Sequence, residues 1–367
     1  MRNALEATGR PVLFSICEWG LQDPARWASD VGNSWRISND IGPPPSWDNL
    51  FRIINEVVPV TGFAGPGGFN DLDLLEVGND GLTVEEQKTH FAFWAAVKSP
   101  LMISTDLTSP TDDTLDILGN QRIIALNQDT LGTSIAFKRR YTNDHDVWAG
   151  PLADGSTVVL VVNWDNSSTR TLTLDLADVG FSSATATDVW TGVSLGTIQE
   201  TFTATVSAHG SLVLKLTNAI ASEPPPFTYY LAASSTSILS GAAATRIVND
   251  TVTVVGFIGD GGSNTLTLTG IDGGTGGSKL ISVDYINADV TQSNTACSNC
   301  RNTFISVNGG DAVQLQMPIS GGSWDILFEG YLATLDGFVA GTDNTLVFSN
   351  PTAFAPDLYR VGVASST

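Results

Sequence analysis

Basic residues are scarce in this chain. Lys and Arg together number 17 against 38 Asp and Glu, a formal net charge of −21 with the three His neutral. Phosphate binding needs a basic surface that releases counterions, so this balance excludes a nucleic-acid partner. The same reasoning excludes an anionic membrane surface, and no apolar run approaches the roughly 18 residues that span a bilayer. Cysteine is also rare. Cys17 stands far from Cys297 and Cys300, too few thiols for a disulfide scaffold and an odd number that leaves one unpaired. Zinc needs four ligands, and His90, His145 and His209 lie in unrelated segments, so neither metal nor cofactor is expected. The Cys297/Cys300 pair reads as a local disulfide or two free thiols in a loop. Charged residues make up only 15% and apolar ones 42%, which excludes disorder by charge and provides for sizeable cores.

The amino terminus lacks the apolar stretch of a signal peptide. Met1 to Gly9 reads instead as the last turns of a helix ended by glycine, as though a domain began in mid-helix. Two glycosylation sequons, at Asn166 and Asn249, fit a secreted protein. At about 150 residues per domain, the length gives two to three domains.

From Pro11 to about Leu131, strand and helix patterns alternate. Pro11 to Ile16 is a short apolar run of the kind buried in a parallel sheet. A helix is expected over Pro24 to Val31 and a strand over Ser34 to Ser38. Trp47, Leu50, Phe51, Ile54 and Val57 then fall on one helical face. A Gly/Pro-rich stretch, Gly62 to Phe69, leads through Asn70-Asp71-Leu72-Asp73 to a helix opened by the capping box Thr83/Glu86. Leu101 to Ser104 is the fourth strand. Four βα units in series predict parallel strands with helical crossovers, half of an eight-stranded barrel, over residues 1–135. Period-two runs such as Thr171 to Leu174 and Ser211 to Leu214 predict an antiparallel β domain over 136–218. A proline-rich linker, 219–227, centres on Pro224-Pro225-Pro226. Residues 228–367 predict a β-sandwich of short strands.

In a parallel barrel, reactive groups lie just past the carboxyl ends of the strands. That rule selects Cys17-Glu18-Trp19, then Trp35-Arg36 with Asp40, then Asp71 and Asp73, then Asp106. Carboxylates at successive strand ends suit acid, base or nucleophilic work on a sugar, and indole faces stack on pyranose rings. Asp and Asn also cap helices and make turns, so each carboxylate taken singly is equally a loop former.

The stretches Gly9-Arg10-Pro11 to Gly20, Gly32-Asn33-Ser34-Trp35-Arg36 with Asp40, and Gly65-Pro66-Gly67-Gly68-Phe69-Asn70-Asp71-Leu72-Asp73 to Asn79 resemble glycoside hydrolase family 27, the α-galactosidases. So do Ser99 to Met102 and Ala125 to Asp129. The resemblance implies a retaining hydrolase of terminal α-linked galactose in oligo- or polysaccharides, secreted, with Asp40 as general acid/base and a pKa raised by burial. Glu18 and Arg36 would bind hydroxyls near C2, Cys17 and Trp19 would form the pocket wall, and Asp71 and Asp73 would support it. It implies a nucleophilic Asp in a Lys-Tyr-Asp motif, which these 367 residues lack, so the chain reads as truncated and inactive by itself, and its half barrel as the least stable part. The alternatives are an inactive carbohydrate-binding fragment and a β-L-arabinopyranosidase relative. The last 140 residues are similar to a carbohydrate-binding module of the family 35 type, with Asn350 and Trp324 as ligand candidates, Tyr331 as a second platform, and no acidic residues in the first strand to hold calcium; for both aromatics, filling the sandwich core is the favoured alternative.

Overall fold

The computed structural model describes residues 1–142, 144–289 and 301–365; Cys297 and Cys300 lie outside them. The chain divides into two compact units, Met1–Lys138 with Asn143–Glu223, and Arg139–Thr142 with Pro224–Thr367. No helix of the described residues is long and apolar enough to cross a membrane.

The first unit opens with α1 (Arg2–Glu6), closed by a turn in which Gly9 adopts φ +66°. Three short parallel strands follow, β1 (Ser15–Ile16), β2 (Ser34–Arg36) and β3 (Phe69–Asp71), in the order β1-β2-β3. The expected strand over Pro11 to Ile16 is shorter than its apolar run, because β1 has a partner on one side only; Leu13 is 76% exposed rather than buried. Leu101 to Ser104 forms no strand, only a parallel bridge between Leu75 and Ile103. The helix expected over Pro24 to Val31 is two 3-10 turns, Pro24–Arg26 and Ala28–Asp30, interrupted at Trp27 where φ is −136°.

The two strongest helical patterns form as expected. In α2 (Trp47–Val57), the Ser46 hydroxyl accepts from the Asn49 N–H, and Leu50, Ile53, Ile54 and Val57 are fully buried. In α3 (Val84–Ala96), Thr83 and Glu86 complete a reciprocal capping box. This helix is buried around nearly its whole circumference, because it packs on both sides. Its Trp94 Nε1 donates to the Asp73 carbonyl at 2.9 Å beside the parallel strands. On the other side, Phe93 meets Trp148 edge-on at 4.9 Å between centroids. Trp148 belongs to an eight-stranded sheet of β4 (Ala136–Tyr141), β5 (His145–Pro151), β6 (Thr157–Asn163), β7 (Arg170–Asp175), β8 (Phe181–Asp188), β9 (Ser194–Gln199), β10 (Thr201–Val206) and β11 (Ser211–Ala221). Its order is β4-β5-β6-β11-β8-β9-β10-β7. Two short helices, α4 (Asp112–Leu118) and α5 (Gln121–Asn127), complete the helical layer.

Strand β11 runs through Ala221, so only Ser222 to Pro226 separates it from the next strand. The second unit contains two sheets. One holds Ala244–Val248, Val252–Gly256, Asp357–Ala364, Gly277–Ile286 and Phe328–Phe338 side by side, with Phe227–Leu231 also pairing Asp357–Ala364. The other holds Ile238–Ser240, Thr265–Ile271, Asn344–Ser349, Asn302–Val307 and Val313–Gln316. Alternate residues such as Leu266, Leu268, Leu346 and Phe348 are buried, as period-two patterning requires.

Candidate active site

A cleft of about 500 Å³ opens at the carboxyl ends of the parallel strands, lined by Ser15, Cys17, Arg36, Asp40, Asp71, Asp73 and Glu76. A second cleft, of about 280 Å³, lies near the amino ends of the strands, with Phe14 and Asn33 on its wall, and brings together no comparable set of carboxylates.

Arg36 is the hub. It ends β2 and is nearly buried, and its Nη2 reaches Asp40 Oδ1 at 2.8 Å and Asp73 Oδ2 at 2.9 Å. Asp73 also accepts the N–H of Ile41 at 2.8 Å and that of Leu74 at 2.8 Å. It therefore ties the β3 loop to the loop that carries Asp40, and holds φ +87°, an uncommon conformation for a residue with a Cβ. Asp71 is buried, and loss of hydration raises its carboxyl above the ordinary value even though its Oδ1 accepts from the Asp73 N–H at 2.9 Å. The Asp40 side chain is 60% exposed, so the burial expected for it is not present.

Two expected pocket residues lie elsewhere. Glu18 turns back on its own loop, where Oε2 accepts the Gln22 N–H at 2.8 Å. Trp19 is 40% exposed at φ +62° and is not on the cleft wall. The tight turn after β1 sends both away from it; Gly20 sits so near the Ile37 carbonyl that a Cβ would meet it at 2.2 Å. Trp35 is fully buried, its Nε1 donating to Asn70 Oδ1 at 2.7 Å, so it belongs to the core and not to a sugar platform. Asp106 is a turn former, accepting from the Thr108 N–H.

Four residues in or behind this site were not legible in the sequence. Glu76 lines the cleft, and its backbone N–H donates to His90 Nε2 at 3.0 Å. Burial pushes His90 down to about 3, so the ring is neutral, and Nε2, being the acceptor, leaves the proton on Nδ1. Arg52 and Glu56 lie buried behind the Asp40 loop, one helical turn apart on α2. Their only sequence signal is the i, i+4 spacing of opposite charges, which ordinarily marks an exposed helix face.

In the second unit, Asn350 is buried and its amide is committed to backbone, donating to the Asn302 carbonyl and accepting from the N–H groups of Thr352 and Ala353. Trp324 is covered on one side by the Arg301 guanidinium, 4.5 Å from the ring centroid, and packs against the cluster of Val248, Val254 and Ile286. Tyr331 is 1% exposed and fills the sandwich core. Asn350 and Tyr331 are thus committed to the sandwich interior, and Trp324 is partly covered. Among the described residues, no group of three or more His, Cys, Asp or Glu could hold a metal ion.

Comparison with known proteins fits this arrangement. Residues 1–129 match the family model described as alpha galactosidase A, and residues 142–216 match that of the alpha galactosidase C-terminal beta sandwich domain. A probable alpha-galactosidase D from Aspergillus fumigatus is 34% identical, the alignment covering 95% of this chain and 69% of that protein. Among solved structures, alpha-galactosidase I from Mortierella vinacea superposes with a TM-score of 0.56 at 36% identity, covering 61% of this chain and 62% of the other. The Saccharomyces cerevisiae α-galactosidase solved with raffinose gives a TM-score of 0.53 at 27% identity, over 59% of this chain and 66% of that one. The chain thus spans somewhat under two thirds of these solved enzymes. With its strand-end carboxylates, its antiparallel second layer and these matches, the chain belongs to the α-galactosidase (melibiase) family of glycoside hydrolases.

Proposed function

We propose that the cleft is the acid/base side of the active site of a retaining α-galactosidase, acting on terminal α-linked galactose of oligo- or polysaccharides. In this reading the three strands and the Leu75/Ile103 bridge are strands five to eight of a (β/α)8 barrel, and the second unit is a carbohydrate-binding module that accompanies it in a secreted enzyme. The observation that carries the reading is the Asp40 carboxylate at the cleft, held 2.8 Å from Arg36 and reachable from solvent.

The chemistry assigns the residues as follows. In the first step a carboxylate bonds to C1 of galactose, the C1–O bond breaks, and Asp40 passes its proton to the departing oxygen. In the second, water attacks C1, Asp40 takes its proton, and the enzyme carboxylate leaves. Retaining enzymes place the two carboxyls about 5–5.5 Å apart. These 367 residues contain no Lys-Tyr-Asp motif, so the nucleophile is not supplied by them. Arg36 and Asp73 hold Asp40 in place, and Asp71 and Cys17 shape the floor and wall.

Hydrolysis of an aryl α-galactoside tests this directly, comparing the chain with a version carrying the Lys-Tyr-Asp strand of a relative. The chain by itself is expected to be slower by several orders of magnitude, as for loss of one member of a catalytic unit. Enzyme-like turnover by the 367 residues would overturn this division of roles. A folded extended version that leaves the galactoside intact would overturn the reading itself.

A further inference from the structure

The loop that carries Asp40 is held from behind by groups that no part of the reaction requires. Arg52 of α2 is fully buried. Its Nη2 donates to the backbone carbonyls of Asn39 at 3.2 Å and Asp40 at 3.1 Å, while Nη1 donates to Glu56 Oε2 at 3.2 Å. The loop is pinned at two further points: the Ile41 carbonyl accepts from Asn49 of the same helix, and the Ile41 N–H donates to Asp73. A buried guanidinium is costly unless acceptors surround it. Here the acceptors are one carboxylate and the peptide carbonyls on either side of the Asp40 Cα, so the charge is compensated only when this loop is in its observed place.

The geometry points to Arg52 and Glu56 as a positioning pair that sets the Asp40 carboxylate against Arg36, with the ionisation of Glu56 controlling how firmly Arg52 grips the loop. The inference rests on Asp40 being the proton donor. Burial lifts the Glu56 carboxyl to about 7, against the opposing pull of Arg52 and the Ser38 hydroxyl. The other charged groups facing the pair are Arg36 of β2 and Asp73 beyond β3. With Glu56 ionised, Arg52 is shared between carboxylate and carbonyls. With Glu56 protonated, the carbonyls become its principal acceptors and the loop is held more tightly.

The test uses the 367-residue chain, with NMR of the Asp40 carboxyl carbon and hydrogen exchange of the Ile41 amide. In the native chain the Asp40 carbon is expected to show a second inflection near pH 7. Glu56→Gln should abolish that inflection. Arg52→Met should speed Ile41 exchange at least tenfold without changing exchange of Leu214 in the antiparallel sheet, and Arg52→Lys should recover part of the protection. If Arg52→Met does not fold, Glu56→Gln decides, because it keeps the shape and leaves Arg52 in place. An Asp40 carbon blind to Glu56, or Ile41 exchange in Arg52→Met equal to native, would overturn the proposal. A separate Asp40→Asn measurement of galactoside hydrolysis in the extended version tests the underlying reading, so the two can fail independently.

Discussion

The role proposed for Asp40 depends on its neighbours. Protonating the leaving group matters most when that group is a poor one. In an extended, active version, Asp40→Asn is expected to slow hydrolysis of natural galactosides by about 10²–10⁴-fold. An aryl substrate with an activated leaving group should still form the galactosyl intermediate at a much smaller loss. Equal losses on both, read by steady-state and burst kinetics, would show that Asp40 is not the acid. Two other residues act through their proton affinities. Glu56, raised to about 7, keeps a proton in the folded protein that the unfolded chain releases above its ordinary 4.5. Its contribution to stability is therefore full at low pH and is lost as pH rises toward 7. His90, lowered to about 3 from 6.5, does the opposite, since acid protonates the unfolded chain first and stability is lost as pH falls below 6.5. Between pH 4.5 and 6.5 the two slopes, each about 1.4 kcal/mol per pH unit, oppose each other. Buried Asp71, also raised, adds to the Glu56 side. Urea unfolding of the first unit should therefore show no loss of stability on acidification across this window. Glu56→Gln should lose stability on acidification where the native chain does not. Identical pH profiles for the two would refute the assignment.

At the scale of elements, α3 joins the parallel strands to the antiparallel sheet. Glu86 serves both its start and its docking: Oε2 accepts from the Thr83 N–H at 2.7 Å, and Oε1 pairs with His209 Nδ1 at 2.6 Å. His209 in turn stacks on Trp47 of α2, 4.2 Å between centroids and 8° from parallel, and its carbonyl accepts from Thr89. The pairing holds the Glu86 carboxyl below its ordinary value despite burial, so its stabilisation is complete above pH 4.5 and is lost below it. Removing the cap alone, Thr83→Ala, should cost about 1 kcal/mol. Glu86→Ala should cost more, about 2–3 kcal/mol, because it also leaves His209 Nδ1 without its partner. In a double-mutant cycle Glu86→Ala and His209→Ala should be strongly non-additive, and simple additivity would show that the contact contributes nothing.

For the whole molecule, the stability expected from the sequence is redistributed. Half of a barrel, with open edges, reads as the weakest part of the chain. In the structure, α3 shares its core with β6 and β11, so residues 1–138 and strands β5 to β11 are one unit. Proteolysis is therefore expected to cut first at Ser222–Pro226, the exposed connection between the units, and to leave two resistant fragments. Early degradation confined to the first 130 residues, with the antiparallel sheet left intact, would contradict the shared core.

Much of this was legible from local pattern, and the limits are equally physical. Periodicity located α2, because one face of Trp47–Val57 is uniformly apolar, and the Thr83/Glu86 box located the start of α3, because capping is satisfied within four residues. The period-two runs Thr171 to Leu174 and Ser211 to Leu214 lie within β7 (Arg170–Asp175) and β11 (Ser211–Ala221). Strand-end position and the family resemblance singled out Arg36, Asp40, Asp71 and Asp73, which the fold does bring together. The sequence could not show that Glu18 would be spent on its own turn, or that Trp35 would be buried, since an indole fits a core and a sugar platform equally well; for Tyr331 the core is the favoured reading, and the ring is buried there. Nor could it show that Arg52 and Glu56 would be buried, because opposite charges at i, i+4 look the same on an exposed face. Local structure follows from interactions between near neighbours in the chain. Which polar groups are taken out of water, and what they then hold in place, depends on contacts between distant segments, and that only the tertiary structure decides.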